Sequence, residues 1–276
     1  MKLKHILAFF LPVIAAAGVL AGCGAAAKPA SSAASSAQEI TVGINPGYSE
    51  ELFDNVIIPD AKAQGLIVHT KVFSDYVTPN KALAAGDIDL NSFQHVPFLT
   101  TFNQTNGTDL VPIGNTYLAP LRLYSKKVKN IKDLKDGASI GIPNDPNNGG
   151  RSLLILSRLG LIQVKDGIPA TKLTVQDITA NPHNLQFIEL EAPQLPRSLE
   201  DTDASFVNAG YAKDAKLPKD EVIGVEDNTS PFVNVIAARK ADKDNPTYQK
   251  FVKIFQSEHV KKYINEHFDG GLVPAF

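Results

Sequence analysis

Hydrophobic and polar positions in this chain follow two periods, and the period changes repeatedly along it. Residues 39–44 alternate as a β-strand does, and the turn-forming sequence Asn45-Pro46-Gly47 follows them. Apolar residues at 52–57 then recur at helical spacing, and Pro59 predicts a kink or a restart in that helix. The same criteria predict strands at 68–73, 88–90, 138–143, 187–190 and 204–207, and helices at 79–85, 95–102 and 151–159. Strands alternating with helices indicate an α/β fold with a parallel sheet covered on both faces.

The strand and helix pattern occurs twice, which predicts two α/β lobes. Residues 39–276 are long enough for two small domains. Two extended stretches, at 117–124 and 233–238, are placed to carry the chain from one lobe to the other and back, and only a helical tail follows. We therefore expect lobe 1 at 39–118 and 236–276, and lobe 2, with the hinge strands, at 119–235.

The first two dozen residues have the pattern of an export signal. Two lysines precede an uncharged apolar run at 6–20, and Leu20-Ala21-Gly22-Cys23 closes it with small residues and the chain's only cysteine. About 15 apolar residues are fewer than the ~20 that a membrane-spanning helix needs. The segment resembles bacterial lipoprotein signals, which implies a signal peptide at 1–22 and acylation, including palmitate, of Cys23. An ordinary secretory signal with a chance cysteine is the alternative.

Residues 24–38 contain no bulky apolar side chain and are rich in Ala and Ser. Such a segment cannot offset the entropy of ordering it, so residues 23–38 are expected to form a lipidated cysteine with a flexible tether. The protein is then anchored by lipid to the extracytoplasmic face of the cell membrane.

The charge pattern excludes nucleic acid as a partner. Removal of the signal leaves 25 basic against 29 acidic residues, a net charge of about −4. The densest basic cluster, at 126–132, is followed at once by Asp133 and Asp136 and indicates a solvated surface.

Five short motifs stand in order along the chain. They are SDYVTPN at 74–80, NSFQH at 91–95, PNDPNNGGR at 143–151, EAPQLPR at 191–197 and SPFVN at 230–234. Together with the lipoprotein signal they resemble the MetQ/NlpA lipoproteins, the methionine-binding components of ABC importers. The resemblance implies a type II periplasmic-binding-protein fold, in which two lobes joined by two hinge strands close on a free amino acid. It also implies a permease and an ATPase as partners, a monomer, and neither a cofactor nor enzymatic activity.

Polar residues in these motifs, and one between them, suit the two charges of an amino acid. Arg151, predicted to open a helix after a glycine-rich turn, is the candidate for the carboxylate, joined by helix N-terminal amides. Asn148, Asn208 and Asn234 can donate to a carboxylate or accept from an ammonium group. Asn208 follows the strand predicted at 204–207, so we expect it at a strand's carboxyl end, where open α/β sheets place ligands. Members of the resembled family often carry a second asparagine where this chain has Gly210.

Aromatic residues supply the candidate apolar wall, namely Tyr76, Phe93, His95 and Phe98. A thioether gains ~0.3–1.5 kcal/mol from each aromatic contact. Relatives commonly have tyrosine where Phe98 stands. The six histidines show no metal-ligand spacing, so we expect His95 to serve the wall or a hydrogen bond, and we expect no metal site.

The sequence thus predicts a lipid-anchored solute-binding protein for methionine, in the L or the D form. A methionine-containing dipeptide or another apolar amino acid remains an alternative ligand. A surface adhesin or a secreted enzyme is a remote alternative, since no Gly-x-Ser-x-Gly or HExxH motif marks a catalytic site.

Overall fold

The computed structural model of the protein describes residues 38–227 and 230–276. The predicted signal peptide, Cys23 and residues 24–37 of the tether lie outside the described residues. The strands are β1 (Gln38–Ile44), β2 (Leu66–Val72), β3 (Leu90–His95), β4 (Val111–Leu118), β5 (Arg122–Tyr124), β6 (Ser139–Pro143), β7 (Gln163–Val164), β8 (Ile178–Ala180), β9 (Gln186–Leu190), β10 (Ala204–Val207), β11 (Val222–Val225), β12 (Val233–Ala238) and β13 (Val273–Pro274). The α-helices are α1 (Tyr48–Leu52), α2 (Ile58–Ala63), α3 (Thr78–Ala85), α4 (Val96–Asn106), α5 (Pro146–Arg158), α6 (Leu195–Ser198), α7 (Ala209–Asp214), α8 (Pro246–Phe255) and α9 (Glu258–His267). No helix among these residues is both long and apolar enough to cross a membrane.

Two main sheets organise the fold. The first has the order β13-β4-β12-β3-β1-β2, with β1 parallel to β2 and β3, and the second has the order β11-β5-β10-β6-β9, with β6 parallel to β9 and β10. Each sheet also contains strands that lie between two antiparallel neighbours, β4 and β12 in the first and β5 in the second. The predicted α/β fold is confirmed, and each parallel sheet carries an antiparallel extension.

The chain passes between the sheets twice, at 119–121 and between β11 and β12, where residues 226–227 and 230–232 are described. We call these segments the first and second crossings, and we call the parts built on the first and second sheets lobe 1 and lobe 2. The second crossing ends before β12, so β12 lies wholly in the first sheet, whereas the sequence placed residues 233–235 in lobe 2. The reason is that β12 inserts between β3 and β4 along its whole length.

Each sheet has its own apolar core. In the first, Phe53 packs on Phe251 and Phe255 from α8, with ring centroids 6.1–6.2 Å apart. In the second, Ile140 and Phe206 are fully buried in a separate cluster. Two separate cores are what the repeated strand and helix pattern predicts.

The break predicted at Pro59 is present as a change of helix type. A π-helical turn at Phe53–Ile57 joins α1 to α2, and Pro59 lies in the first turn of α2. Since proline has no N–H to donate to the preceding turn, the wider turn before it accommodates the missing hydrogen bond.

The helix predicted to begin at Arg151 begins five residues earlier. Asp145 caps α5 by accepting a 2.9 Å hydrogen bond from the Asn148 N–H, and Pro146 occupies the first helical position. The glycines are inside the helix because the chain packs closely there: a β-carbon at 149 would lie 2.8 Å from the Pro143 carbonyl oxygen.

The short strand predicted at 88–90 is instead β3, which runs through the polar sequence Leu90–His95 with every residue buried. A network satisfies these polar groups. Asn80, fully buried in α3, accepts from Asn91 Nδ2 at 2.8 Å and from Gln94 Nε2 at 2.6 Å, and donates to Gln94 Oε1 at 2.7 Å. Because the partners of Asn91 and Gln94 lie on another element, hydrophobic periodicity does not reveal this strand.

We predict that Asn80→Ala lowers the free energy of unfolding by about 2–3 kcal/mol, since the buried amides of Asn91 and Gln94 then lose their partner. The matched control is Asn106→Ala on exposed residue 106 of α4, expected to change it by less than about 0.5 kcal/mol. Urea unfolding of both variants provides the measurement. Equal effects of the two substitutions would show that the network does not stabilise β3.

Candidate ligand-binding site

A cavity between the two lobes brings together all eight residues that the sequence singled out. It encloses about 600 Å³ of space between atoms, part of it open to solvent. Lobe 1 contributes Tyr76, Phe93, His95, Phe98 and Asn234, and lobe 2 contributes Asn148, Arg151 and Asn208.

Strand ends place the polar groups of this cavity. Asn45 follows β1, His95 ends β3, and Asn208 follows β10, so each lies at the carboxyl end of a strand in the parallel part of its sheet. Open α/β sheets bind ligands at these ends. The position expected for Asn208 from sequence is the one observed.

Three donors from different elements converge on one oxygen atom, Asn148 Oδ1. His95 Nε2 lies 3.5 Å from it, and Arg151 Nη1 and Asn208 Nδ2 lie 3.4 Å from it. Asn148 is held in this orientation because its Nδ2 donates to both carboxylate oxygens of Asp145, at 3.0 and 3.2 Å. All three bonds to Oδ1 are longer than the usual 2.9–3.0 Å, so a stronger acceptor such as a carboxylate competes well for the donors.

Arg151 differs from the expectation in two ways. It is the sixth residue of α5 and does not join the first amides of that helix, where Asp145 is the cap. Its donor fork also faces a protein carboxylate: Nε donates to Glu226 Oε1 at 2.6 Å, and Nη2 donates to Glu226 Oε2 and, at 3.0 Å, to the Ala119 carbonyl oxygen. Nη1 is the atom directed to the convergence point at Asn148.

Two acceptors complete the polar end of the cavity. Asn208 Oδ1 and Asn45 Oδ1 are both buried and have no hydrogen-bond partner among the described residues. Asn45 Nδ2 is fixed by the carbonyl oxygens of Phe73, at 2.6 Å, and Asp75, at 3.1 Å. A buried acceptor without a donor costs about 1–3 kcal/mol, so both oxygens favour a ligand that brings N–H groups.

Asn234 serves the wall of the cavity. Its Nδ2 donates to the Phe93 carbonyl oxygen at 3.2 Å, and its side chain also lies beside the Tyr117 hydroxyl, which is 2.9 Å from Ser49 Oγ. Burial raises the pKa of Tyr117, and the bonds to Ser49 and Asn234 partly oppose that shift. Tyr117 therefore stays a neutral donor and acceptor.

The apolar wall is an aromatic cluster. The Tyr76 and Phe93 rings stack with centroids 5.9 Å apart, and Phe98 meets them edge-on at 5.9 and 6.2 Å. Tyr211 of α7 packs on Tyr76 at 5.2 Å. These contacts hold the rings in place before any ligand binds, which lowers the ordering cost of binding.

Gly210 lies where the two lobes approach each other closely. A β-carbon there would lie 3.0 Å from the Pro46 carbonyl oxygen, and one at Gly47 would overlap the Gly210 carbonyl oxygen. Gly47 also has a φ of 86°, which glycine adopts without strain. The structure thus gives a packing reason for glycine at 210.

Asn45, which lines the cavity, and Glu226, which holds Arg151, were not found from sequence. Asn45 had a usable signal, because it follows a buried strand just as Asn208 does. Glu226 had none, because it lies in a connection outside the five motifs and pairs with a residue 75 positions away.

His95 is a neutral imidazole with a defined tautomer. The Phe98 N–H donates to Nδ1 at 3.2 Å, so Nε2 carries the hydrogen and donates toward Asn148. Burial, with a smaller contribution from the neighbouring Arg151 charge, lowers the pKa of His95 to about 3. Among the described residues no group of three or more His, Cys, Asp and Glu side chains is placed to hold a metal ion.

We predict that His95 makes the protein less stable in acid. Its pKa is about 3 when folded, against an ordinary 6.5, so the unfolded chain alone takes up this proton as the pH falls from 6.5 toward 3. In His95→Gln the slope of unfolding free energy against pH between 4 and 6 should be smaller by about 1.4 kcal/mol per pH unit. Urea titrations at several pH values measure it. Parallel slopes in the two proteins would mean that His95 is protonated in the fold.

Comparison with known proteins identifies the chain. The NlpA lipoprotein family model matches residues 40–276. The D-methionine-binding lipoprotein MetQ of Escherichia coli K12 is 42% identical over 279 residues, covering 98% of this chain and 100% of the relative. The corresponding protein of Yersinia pestis is 42% identical over 260 residues, with 93% of each chain covered.

Solved structures agree with these relatives. A nutrient-binding protein from Burkholderia cenocepacia bound to methionine superposes with a TM-score of 0.82 at 44% identity, covering 86% of this chain and 100% of that one. The methionine-binding protein MetQ gives 0.83 at 44% identity, with coverages of 86% and 98%. These neighbours confirm the type II periplasmic-binding-protein fold. The chain belongs to the NlpA lipoprotein family.

Proposed function

We propose that this protein is a lipid-anchored solute-binding protein that captures methionine outside the cytoplasm and delivers it to an ABC importer. The observation that carries the proposal is the cavity between the lobes. At one end of this cavity lie the converging donors and the unpartnered acceptors, and at the other end lies the aromatic wall. The names of the relatives, methionine-binding lipoproteins, support the same ligand.

The donors that converge on Asn148 form the carboxylate site of this proposal. A ligand carboxylate accepts from Arg151 Nη1, His95 Nε2 and Asn208 Nδ2, which now share one amide oxygen at 3.4–3.5 Å. Bonds from these groups to a carboxylate are charge-assisted and roughly twice as strong as bonds between neutral groups. His95 contributes as a neutral donor, in addition to its place in the wall.

The unpartnered oxygens of Asn208 and Asn45 form the ammonium site. Asn208 thus contacts both charged groups of the ligand, with Nδ2 on the carboxylate side and Oδ1 on the ammonium side. The thioether side chain lies against Tyr76, Phe93 and Phe98, and Asn234 holds the wall through its bond to the Phe93 carbonyl oxygen.

Ligand capture is proposed to close the lobes about the two crossings. Contacts that span the lobes support this, since the Tyr211 hydroxyl donates to the Ser74 carbonyl oxygen at 3.0 Å and Lys213 pairs with Glu51 at 2.9 Å. A ligand held from both sides favours the closed state by its difference in affinity for the two states.

The binding proposal predicts that Arg151→Ala weakens methionine binding at least 100-fold, because the ligand carboxylate loses a charged donor and Glu226 is left as a buried charge without its partner. Arg158→Ala is the matched control, since Arg158 lies on the same helix with its side chain 43% exposed, and is expected to bind within twofold of the parent. Isothermal titration calorimetry measures both. Arg151→Lys, which keeps the charge, should give an intermediate affinity and guards against misfolding of the alanine variant.

Ligand identity is tested on the parent protein. Methionine should bind five- to tenfold more tightly than norleucine, which lacks sulfur, because an aromatic–thioether contact contributes about 1 kcal/mol. L- and D-methionine and a methionine-containing dipeptide complete the series. Equal affinity for methionine and norleucine would show a general apolar pocket that does not recognise sulfur. Tighter binding of the dipeptide would make the dipeptide, and not free methionine, the ligand. If none of these compounds binds, the proposal is contradicted.

The same proposal includes the location and the partners of the protein. It is anchored by lipid through Cys23 on the extracytoplasmic side, it delivers its ligand to a permease with its ATPase, and it acts as a monomer without enzymatic activity. Relatives that are named lipoproteins support the anchor. The signal at residues 1–22 and the Ala- and Ser-rich tether are its sequence basis.

We predict that Cys23→Ser releases the protein from the membrane, because serine has no thiolate to accept the lipid. Metabolic labelling with palmitate and fractionation of cells expressing the parent and the variant provide the measurement. We expect the parent protein to be labelled and to remain in the membrane fraction. The variant should be unlabelled and should appear in the medium or in the soluble envelope fraction. Retention of the variant in the membrane after washing would contradict the anchor.

A further inference from the structure

We infer that Glu226 is a specificity-determining and positioning residue: it holds the Arg151 guanidinium in place and balances its charge, so that the cavity selects a ligand with both an ammonium and a carboxylate group. The inference rests on the proposed function and deepens it, since it states which part of the ligand the protein requires and which residue imposes that requirement.

The carboxylate of Glu226 is fully engaged. Oε1 accepts from Arg151 Nε at 2.6 Å and from Ser230 Oγ at 2.7 Å, and Oε2 accepts from Arg151 Nη2 and from the Leu121 N–H at 3.0 Å. The Glu226 and Arg151 side chains are 5% and 4% exposed. A carboxylate with four donors in a buried site is fixed in position, and it fixes the guanidinium with it.

The same pair joins the two crossings. Leu121 and Ala119 belong to the first crossing, and Glu226 and Ser230 belong to the second. Glu226 and Leu121 exchange two bonds, since the Glu226 N–H also donates to the Leu121 carbonyl oxygen at 3.0 Å, and Arg151 Nη2 donates to the Ala119 carbonyl oxygen at 3.0 Å. Phe232 of the second crossing covers the guanidinium at 4.8 Å. Nη1 therefore reaches the cavity from a fixed frame.

The charges around the cavity leave no cation in excess. Arg151 and Glu226 form an ion pair, His95 is neutral because burial lowers its pKa to about 3, and burial raises the pKa of Tyr76 and Tyr117 and keeps them neutral. Asp145, which lies behind Asn148, is an acidic residue and so adds no positive charge to these surroundings. A ligand with a carboxylate alone would bury a net negative charge, which is costly without a counter-charge.

The ammonium group supplies that counter-charge within the ligand itself. The unpartnered oxygens of Asn208 and Asn45 lie in the same cavity and accept its N–H groups. Without Glu226, the Arg151 charge would instead balance the carboxylate of an anionic ligand, and the ammonium group would matter less.

Calorimetry on the parent protein tests the requirement. The probes are L-methionine, 4-(methylsulfanyl)butanoate, which lacks the amino group, and 3-(methylsulfanyl)propan-1-amine, which lacks the carboxylate. We expect each analogue to bind at least 100-fold more weakly than methionine. An amino-free analogue that binds within threefold of methionine would overturn the inference, and absence of methionine binding would instead contradict the proposed function.

Glu226→Gln tests the role of the residue. We measure the ratio of the affinity for methionine to the affinity for 4-(methylsulfanyl)butanoate. In Glu226→Gln this ratio should be at least tenfold smaller than in the parent, because the Arg151 charge is then unbalanced. Glu266→Gln, which removes one exposed acid from α9, is the matched control and should leave the ratio unchanged. An unchanged ratio in a folded Glu226→Gln protein would overturn the inference.

Glu226→Asp separates charge from position and covers the case in which the glutamine variant does not fold. The shorter side chain keeps the charge and reaches Arg151 less well, so methionine should bind about tenfold more weakly with the ratio to butanoate kept within threefold. A ratio that collapses in Glu226→Asp would show that disturbed packing, and not charge, controls selectivity.

Discussion

The buried ion pair between Arg151 and Glu226 is the interaction on which the site depends. It joins α5 of lobe 2 to both crossings, and it lies at the polar end of the cavity. A buried ion pair contributes little net stability, because desolvation offsets its attraction, yet loss of one partner is costly. The pair therefore matters for geometry and charge: it sets where Nη1 lies and makes the surroundings neutral.

The rest of the site is built from strand ends that meet at the cleft. β1, β3 and β10 each end at a polar residue of the cavity, Asn45, His95 and Asn208. The aromatic wall comes from residues near these ends, and its rings are packed on one another. One end of the cavity thus suits charge and the other an apolar side chain, which is the division that an apolar amino acid requires.

Sequence patterns predicted the parts of this structure that local chemistry determines. Strands β1, β10 and β12 and the eight residues that gather at the cavity could be predicted, because apolar patterns mark the strands and the five motifs contain six of the residues. Phe98 lies just after one motif, and Asn208 follows a predicted strand. β3 was misplaced because its polar residues are satisfied by Asn80 from another element. The start of α5 was missed because glycines that look like a turn are there for close packing. Glu226 was missed because its partner is distant in sequence.

The central claim is that a zwitterionic ligand lies between Arg151 Nη1 and the oxygens of Asn208 and Asn45 while Glu226 keeps the other edge of the guanidinium. A crystal structure of residues 39–276 with methionine tests it most directly. The account predicts the ligand carboxylate within about 3.2 Å of Nη1, the ammonium group on the two asparagine oxygens, and Glu226 still bonded to Nε. A carboxylate that displaces Glu226 from Nε and Nη2, or a thioether lying against Arg151, would contradict it.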